Sequence, residues 1–82
     1  MMQKVRPDNV RKNQRVVLRD ELPSNRIFGN ARPIQKGSRG DITSDGFVAG
    51  TLKVTFYSHF YGKEEVQFNE RSAETYLETD IF

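Results

Sequence analysis

The chain has 82 residues, of which 35% are hydrophobic and 29% charged, and its formal net charge is +2. This length supports one domain, because a second core could not be filled from what remains. It has no cysteine and a single histidine, His59, so disulfides and cysteine–histidine metal sites are excluded.

Residues 1–13 carry only Val5 and Val10 as aliphatic anchors among basic and polar residues. This composition predicts a loosely docked basic N-terminal arm over residues 1–13 and a folded body over residues 14–82. The body begins with Arg15–Arg19, whose alternation predicts a strand that directs Val16 and Leu18 inward.

A long loop is predicted from Asp20 to Lys36, punctuated by two prolines and one glycine. We expect Ile27, Phe28 and Ile34 to pin parts of it to the body. A short strand then spans residues 37–43, where Gly37 and Gly40 predict either positive φ or a close backbone approach. Asp45–Gly46 follows as a turn.

The clearest strand is Thr51–Tyr57, and Glu64–Phe68 is predicted to pair with it as an antiparallel hairpin. Asn69 is a suitable cap for a single helical turn over residues 72–75, and residues 76–81 are expected to supply a last strand. The side chains that the alternation directs into the core of the hairpin are Leu52, Val54, Phe56, Val66 and Phe68.

The order of these elements predicts a mainly β fold: a small five-stranded SH3-like antiparallel barrel with one long loop and a single helical turn. Lys36–Ile42 followed by Leu52–Phe56 resembles the glycine-punctuated strand pair of KOW-type barrels, over roughly residues 14–81. SH3-like barrels commonly serve as recognition modules, so this resemblance implies that the loop between Leu22 and Gln35 is the adjustable element. An OB-like barrel is the alternative fold.

The charge is distributed unevenly along the chain. Residues 1–39 hold ten lysines or arginines and three acidic residues, a net +7, whereas residues 40–82 hold three basic and eight acidic residues, a net −5. One interpretation is a basic surface that attracts polyanions. The other is that the two halves pair with each other across the fold.

We predict that the protein is not an enzyme and uses no cofactor, metal or small-molecule substrate. Ser58 and His59 are adjacent, so on a strand they point to opposite faces and cannot act as a nucleophile and its base. Glu64 and Glu65 diverge for the same reason, and no phosphate-binding glycine loop is present.

Residues 56–62 concentrate aromatic rings at the end of the hairpin. Phe56 belongs to the core, but Tyr57, Phe60 and Tyr61 do not all fit inward. Two interpretations stay open: the rings close the mouth of the barrel, or they form a partly exposed platform that stacks bases or grips a peptide.

These features favour a binding module whose partner is nucleic acid. The alternative is a protein-docking adaptor or small regulatory subunit that recognises an acidic protein, and a homo-oligomer that buries the aromatics is a further possibility. The absence of a signal peptide and of an apolar span predicts a cytoplasmic protein without membrane contact. The candidate binding residues are Arg26, Phe28, Arg32, Lys36, Arg39, Tyr57, Phe60 and Tyr61.

Overall fold

The computed structural model describes residues 2–24, 29–30, 32–58 and 62–80. Within these ranges the chain forms six strands and one helix, and the prediction of a mainly antiparallel β fold is confirmed. The helix is too short and too polar to cross a membrane. In chain order the elements are β1 (Met2–Lys4), β2 (Arg15–Leu18), β3 (Arg39–Ile42), β4 (Leu52–Ser58), β5 (Gly62–Phe68), α1 (Glu70–Tyr76) and β6 (Leu77–Asp80).

The strands form one sheet in the order β1-β6-β2-β3-β4-β5, so six strands replace the five that were predicted. The extra strand is β1, which pairs with β6 through Met2 opposite Asp80 and Lys4 opposite Glu78. Its three residues are all exposed, so the strand forms through backbone pairing. The sequence therefore shows no alternation of apolar and polar residues from which the strand could be predicted. In the described residues β1 and β5 are the two edges of an unclosed sheet, and closure into a barrel is not observed.

Alternation along the central strands builds the core, as predicted. Val16 and Leu18 are buried on β2, and the side chains predicted to face inward on β4 and β5 are also buried. Strand register stacks them in pairs: Leu52 lies opposite Phe68, and Val54 opposite Val66. The Phe56 and Phe68 rings meet edge to face with centroids 6.3 Å apart, a favourable aromatic arrangement.

The two glycines before and within β3 behave as predicted. Gly37 has φ +87°, and its backbone N–H donates to the Leu18 carbonyl at 2.9 Å, which closes the turn into β3. At Gly40 a Cβ would lie 2.8 Å from the Thr55 carbonyl oxygen, so β3 and β4 approach too closely for any side chain there.

Helix α1 begins with the cap that the sequence predicts. Asn69 accepts a hydrogen bond from the Ser72 backbone N–H at 2.8 Å, and the Ser72 hydroxyl accepts one from the Asn69 N–H at 3.0 Å. The helix extends over seven residues and is therefore longer than the single turn predicted. It contacts both β1 and β5, and so lies between the two edges of the sheet.

The predicted long loop is divided by an isolated bridge between Leu22 and Ile34, which exchange two backbone hydrogen bonds at 2.9 and 2.8 Å. Both side chains are buried, so the prediction that Ile34 pins the loop to the body is confirmed. The other two predicted anchors, Ile27 and Phe28, lie outside the described residues. A Cβ at Gly29 would lie 3.9 Å from the Glu65 carbonyl, so the outer part of the loop approaches β5.

Candidate functional site

The sequence analysis singled out eight binding residues, and the structure describes four of them. Arg32 and Lys36 are exposed in the long loop, Arg39 is exposed at the start of β3, and Tyr57 is exposed near the end of β4. The predictions that lie outside the described residues are Arg26, Phe28, Phe60 and Tyr61.

Arg39 and Tyr57 come together on the outer face of the sheet. Gly40 lies opposite Phe56, and the same register places Arg39 beside Tyr57 on the neighbouring strand. Gly40 and Phe56 are both buried, so their chain neighbours Arg39 and Tyr57 point away from the core. A cation and an aromatic ring are thus adjacent on one solvent-facing surface.

The strand register that joins Arg39 to Tyr57 does not extend to the two loop residues. Arg32 lies beyond the Leu22–Ile34 bridge, where its carbonyl accepts a hydrogen bond from Asn30 Nδ2 at 3.0 Å. Lys36 lies after the bridge, in the turn that leads into β3. The pairing of β3 with β4 therefore brings Arg39 and Tyr57 together, whereas Arg32 and Lys36 lie in the loop.

A groove with a volume of about 810 Å³ opens on the outer face, between residues 8–14 and the strands β1, β6, β2 and β3. Arg39 lines this groove, so the groove and the Arg39–Tyr57 pair form one continuous surface. Four basic side chains and two acidic side chains line it: Arg11, Lys12, Arg15 and Arg39 against Asp8 and Asp80.

The wall of the groove is held in place by two amide side chains. Asn9 Nδ2 donates to the Lys4 carbonyl at 2.8 Å, and Asn9 Oδ1 accepts from the Arg6 N–H at 2.8 Å. Gln14 Nε2 donates to the Asn9 carbonyl at 2.9 Å and to the hydroxyl of Thr79, which is fully buried on β6. These bonds tie residues 8–14 to the sheet, so the groove has a fixed shape.

The charges of the two halves of the chain pair in part. Among the described residues, ion pairs join the basic half to the acidic half, which supports charge matching across the fold for the residues that form them. Within the described ranges Arg11, Lys12 and Arg39 form no ion pair, so positive charge remains at the groove. The ion pairs are Arg6–Glu74 at 3.9 Å, Arg15–Asp41 at 3.7 Å and Arg19–Glu78 at 3.0 Å.

Tyr57 has charged neighbours on both adjoining strands. Hydrogen bonding to the Asp41 carboxylate, partial desolvation and the negative charge of that carboxylate raise the pKa of Tyr57 above its ordinary value of 10.0, and the nearby Arg15 opposes the shift. Lys63, opposite Tyr57 on β5, places its Nζ 5.9 Å from the ring centroid. The ring is 49% exposed.

In the described part of the chain the aspartate and glutamate side chains form no group of three that could hold a metal ion. His59, the single histidine, lies outside the described residues.

Comparison of the chain with protein-family models, with curated proteins and with solved structures finds no match.

Sequence reasoning did not select Arg11, Lys12 and Arg15 as site residues. The first two belong to a segment without periodicity, and hydrogen bonds to β1, β3 and β6 hold this segment against the sheet. The sequence signals that could have selected them were the basic character of all three residues and the predicted outward orientation of Arg15 on its strand.

Proposed function

We propose that this domain is a non-catalytic module that binds nucleic acid through the outer face of its sheet. The observation that carries the proposal is the groove with four basic side chains, continuous with the half-exposed ring of Tyr57. Basic side chains neutralise phosphates and release counterions, and aromatic faces stack on bases. The combination of both on one surface is typical of nucleic-acid recognition.

The basic side chains that we expect to bind phosphate most readily are those that form no ion pair among the described residues. Arg11, Lys12 and Arg39 form no ion pair within the described ranges, so a phosphate does not have to displace a carboxylate to reach them. Arg15 contributes less, since Asp41 lies 3.7 Å away, but its side chain is 70% exposed. The net charge of the groove is positive when all its lining residues are ionised.

The fold that we propose for this module is an SH3-like barrel of KOW type formed by β2–β6, with β1 added at one edge. The strand order β6-β2-β3-β4-β5, in which the last strand returns beside the first of the five, supports this proposal. The position of α1, between β5 and β6 in the chain and in contact with both sheet edges, is consistent with it. Nuclear Overhauser contacts between the long loop and β5 would test the closure.

The experiment is a fluorescence-anisotropy titration of labelled DNA and RNA oligonucleotides at low and near-physiological salt. Four phosphate contacts predict a slope of log K against log salt of about −3 on a single strand. Arg39→Glu and Lys12→Glu should each weaken binding and reduce the slope by about 1. Arg71→Glu is the matched control, because it makes the same charge change on α1, outside the groove.

Equal loss of binding in the Arg71→Glu variant would show that net charge alone attracts the oligonucleotide, and would contradict the groove. A protein that binds no oligonucleotide even at low salt would overturn the proposal. It would leave the alternative of an adaptor for an acidic protein, which the same basic surface would serve.

A further inference from the structure

Tyr57 presents an aromatic ring in an unusual setting for an exposed residue. Its side chain projects from the outer face of β4, is 49% exposed, and has Lys63 on one side with Nζ 5.9 Å from the ring centroid. A tyrosine that merely closed the core would be buried like Phe56, which is 2% exposed on the same strand.

The ring also has charged neighbours on the adjoining strands. Asp41 on β3 raises the pKa of the Tyr57 hydroxyl, and Asp41 is in turn paired with Arg15 on β2 at 3.7 Å. The three residues form a chain of contacts that crosses three strands of the sheet.

The position of the ring relative to the groove sets the direction of a ligand. Tyr57 lies on β4, Arg39 on β3, and Arg15 with Val17 on β2, so the ring is one strand from the nearest groove residue and two strand spacings, or roughly 10 Å, from the groove residues of β2. Arg39 lies between them, because it is beside Tyr57 and also lines the groove. A nucleic-acid strand that contacts the ring would thus continue past Arg39 into the basic groove.

From this geometry we infer that the ligand is single-stranded nucleic acid, with one base stacked on Tyr57 and the adjoining backbone passing Arg39 into the groove. The inference rests on the proposed function and narrows it. In a duplex the base faces are covered by their neighbours, so a ring that stands on a sheet surface can stack only on an unpaired base. A surface that bound duplex phosphates alone would gain nothing from an exposed aromatic ring.

The test compares a labelled oligothymidylate of about ten nucleotides with a blunt duplex of the same length, by anisotropy at low salt. We expect the single strand to bind more tightly. Tyr57→Leu, which removes the ring, should weaken single-strand binding by about tenfold and leave duplex binding unchanged. Tyr57→Phe keeps the ring and loses only the hydroxyl, so it should stay closer to the unaltered protein.

Tyrosine fluorescence gives a second readout, because the chain contains no tryptophan. Stacking on Tyr57 should quench the emission when oligothymidylate is added, and Tyr57→Leu should remove that part of the quenching. The exposure of Tyr57 makes both variants compatible with folding, which circular dichroism would verify.

The outcomes separate this inference from the proposed function. If duplex and single strand bind equally, Tyr57→Leu has no effect and Arg39→Glu still weakens binding, the stacking inference is overturned and the nucleic-acid module stands. If neither oligonucleotide binds, both are overturned.

Discussion

On the inner face of the sheet most side chains are apolar and all are buried, whereas on the outer face most are charged or polar and partly exposed. Leu18, Val54 and Phe68 on the inner face are at most 1% exposed. On the outer face the side chains of Arg15 and Asp41 are 70% and 31% exposed and lie 3.7 Å apart. The inner face therefore supplies stability through burial, and the outer face is free to present charge and an aromatic ring to a partner.

The largest effect is expected at Phe68. Replacement of this fully buried ring by alanine removes its edge-to-face contact with Phe56 and leaves a cavity, which should lower the free energy of unfolding by about 3–5 kcal/mol. Urea denaturation measures the loss. Gln67→Ala, an exposed change on the same strand, should stay within about 0.5 kcal/mol, and similar losses in the two variants would contradict the division between faces.

Gly40→Ala should have the next largest effect. The new methyl group would lie 2.8 Å from the Thr55 carbonyl oxygen, which cannot move without disturbing the pairing of β3 with β4. We expect a loss of about 1–3 kcal/mol in the free energy of unfolding. Arg39→Ala at the exposed neighbouring position is the control, and an equally stable Gly40→Ala variant would refute the close approach.

The outer face should contribute far less through its ion pairs. A double-mutant cycle on Arg19 and Glu78, whose side chains are about one-third exposed, should give a coupling energy of about 0.2–1 kcal/mol that decreases as salt is added. Thermal or urea denaturation of the two single variants and the double variant supplies the cycle. A coupling energy as large as the loss of unfolding free energy in Phe68→Ala would contradict the proposed difference between the two faces.

The smallest effect at neutral pH is expected from changes around Tyr57, which weaken one exposed ion pair and shift the ionisation of the ring hydroxyl. Asp41→Asn should lower the pKa of Tyr57 towards its ordinary value, while Arg15→Ala should raise it further, since Arg15 opposes the shift. Absorbance titration of tyrosinate measures both changes, with Tyr57→Phe identifying the transition. Equal pKa values in all variants would exclude the hydrogen bond.

This raised pKa also predicts the sign of a stability change. Because folding favours the neutral phenol, the contribution of Tyr57 is fully present below its unfolded pKa near 10 and is lost as pH rises through the higher folded value. The unaltered protein should therefore lose stability more steeply than Asp41→Asn in that alkaline range.

The inner face could be predicted from the sequence because its signal is local. Leu52, Val54 and Phe56 alternate with polar residues, and a period of two specifies a half-buried strand wherever it occurs. The cap at Asn69 was predictable for the same reason, since its partner Ser72 is three residues away. Strand β1 carries no such pattern, because its three residues are exposed and only their backbone pairs with β6.

The candidate site could be predicted only in part. Arg39 and Tyr57 were selected for their residue types, but their adjacency depends on the register between β3 and β4, which single-residue patterns do not determine. Arg11 and Lys12 reach the groove because Asn13 and Gln14 form hydrogen bonds with Ile42 and Thr79, residues distant in the chain. Pairings of this kind follow from the folded structure as a whole.

The position of β6 has a consequence for how the chain folds. This last strand lies between β1 and β2, so it must pair on both sides with residues from the opposite end of the chain. The β3–β4–β5 meander depends on nearby residues and is expected to assemble quickly, whereas β6 must close the longest loops in the molecule. Until it does, β2 keeps an open edge, so we expect docking of β6 to be a late step that completes the sheet and the groove together.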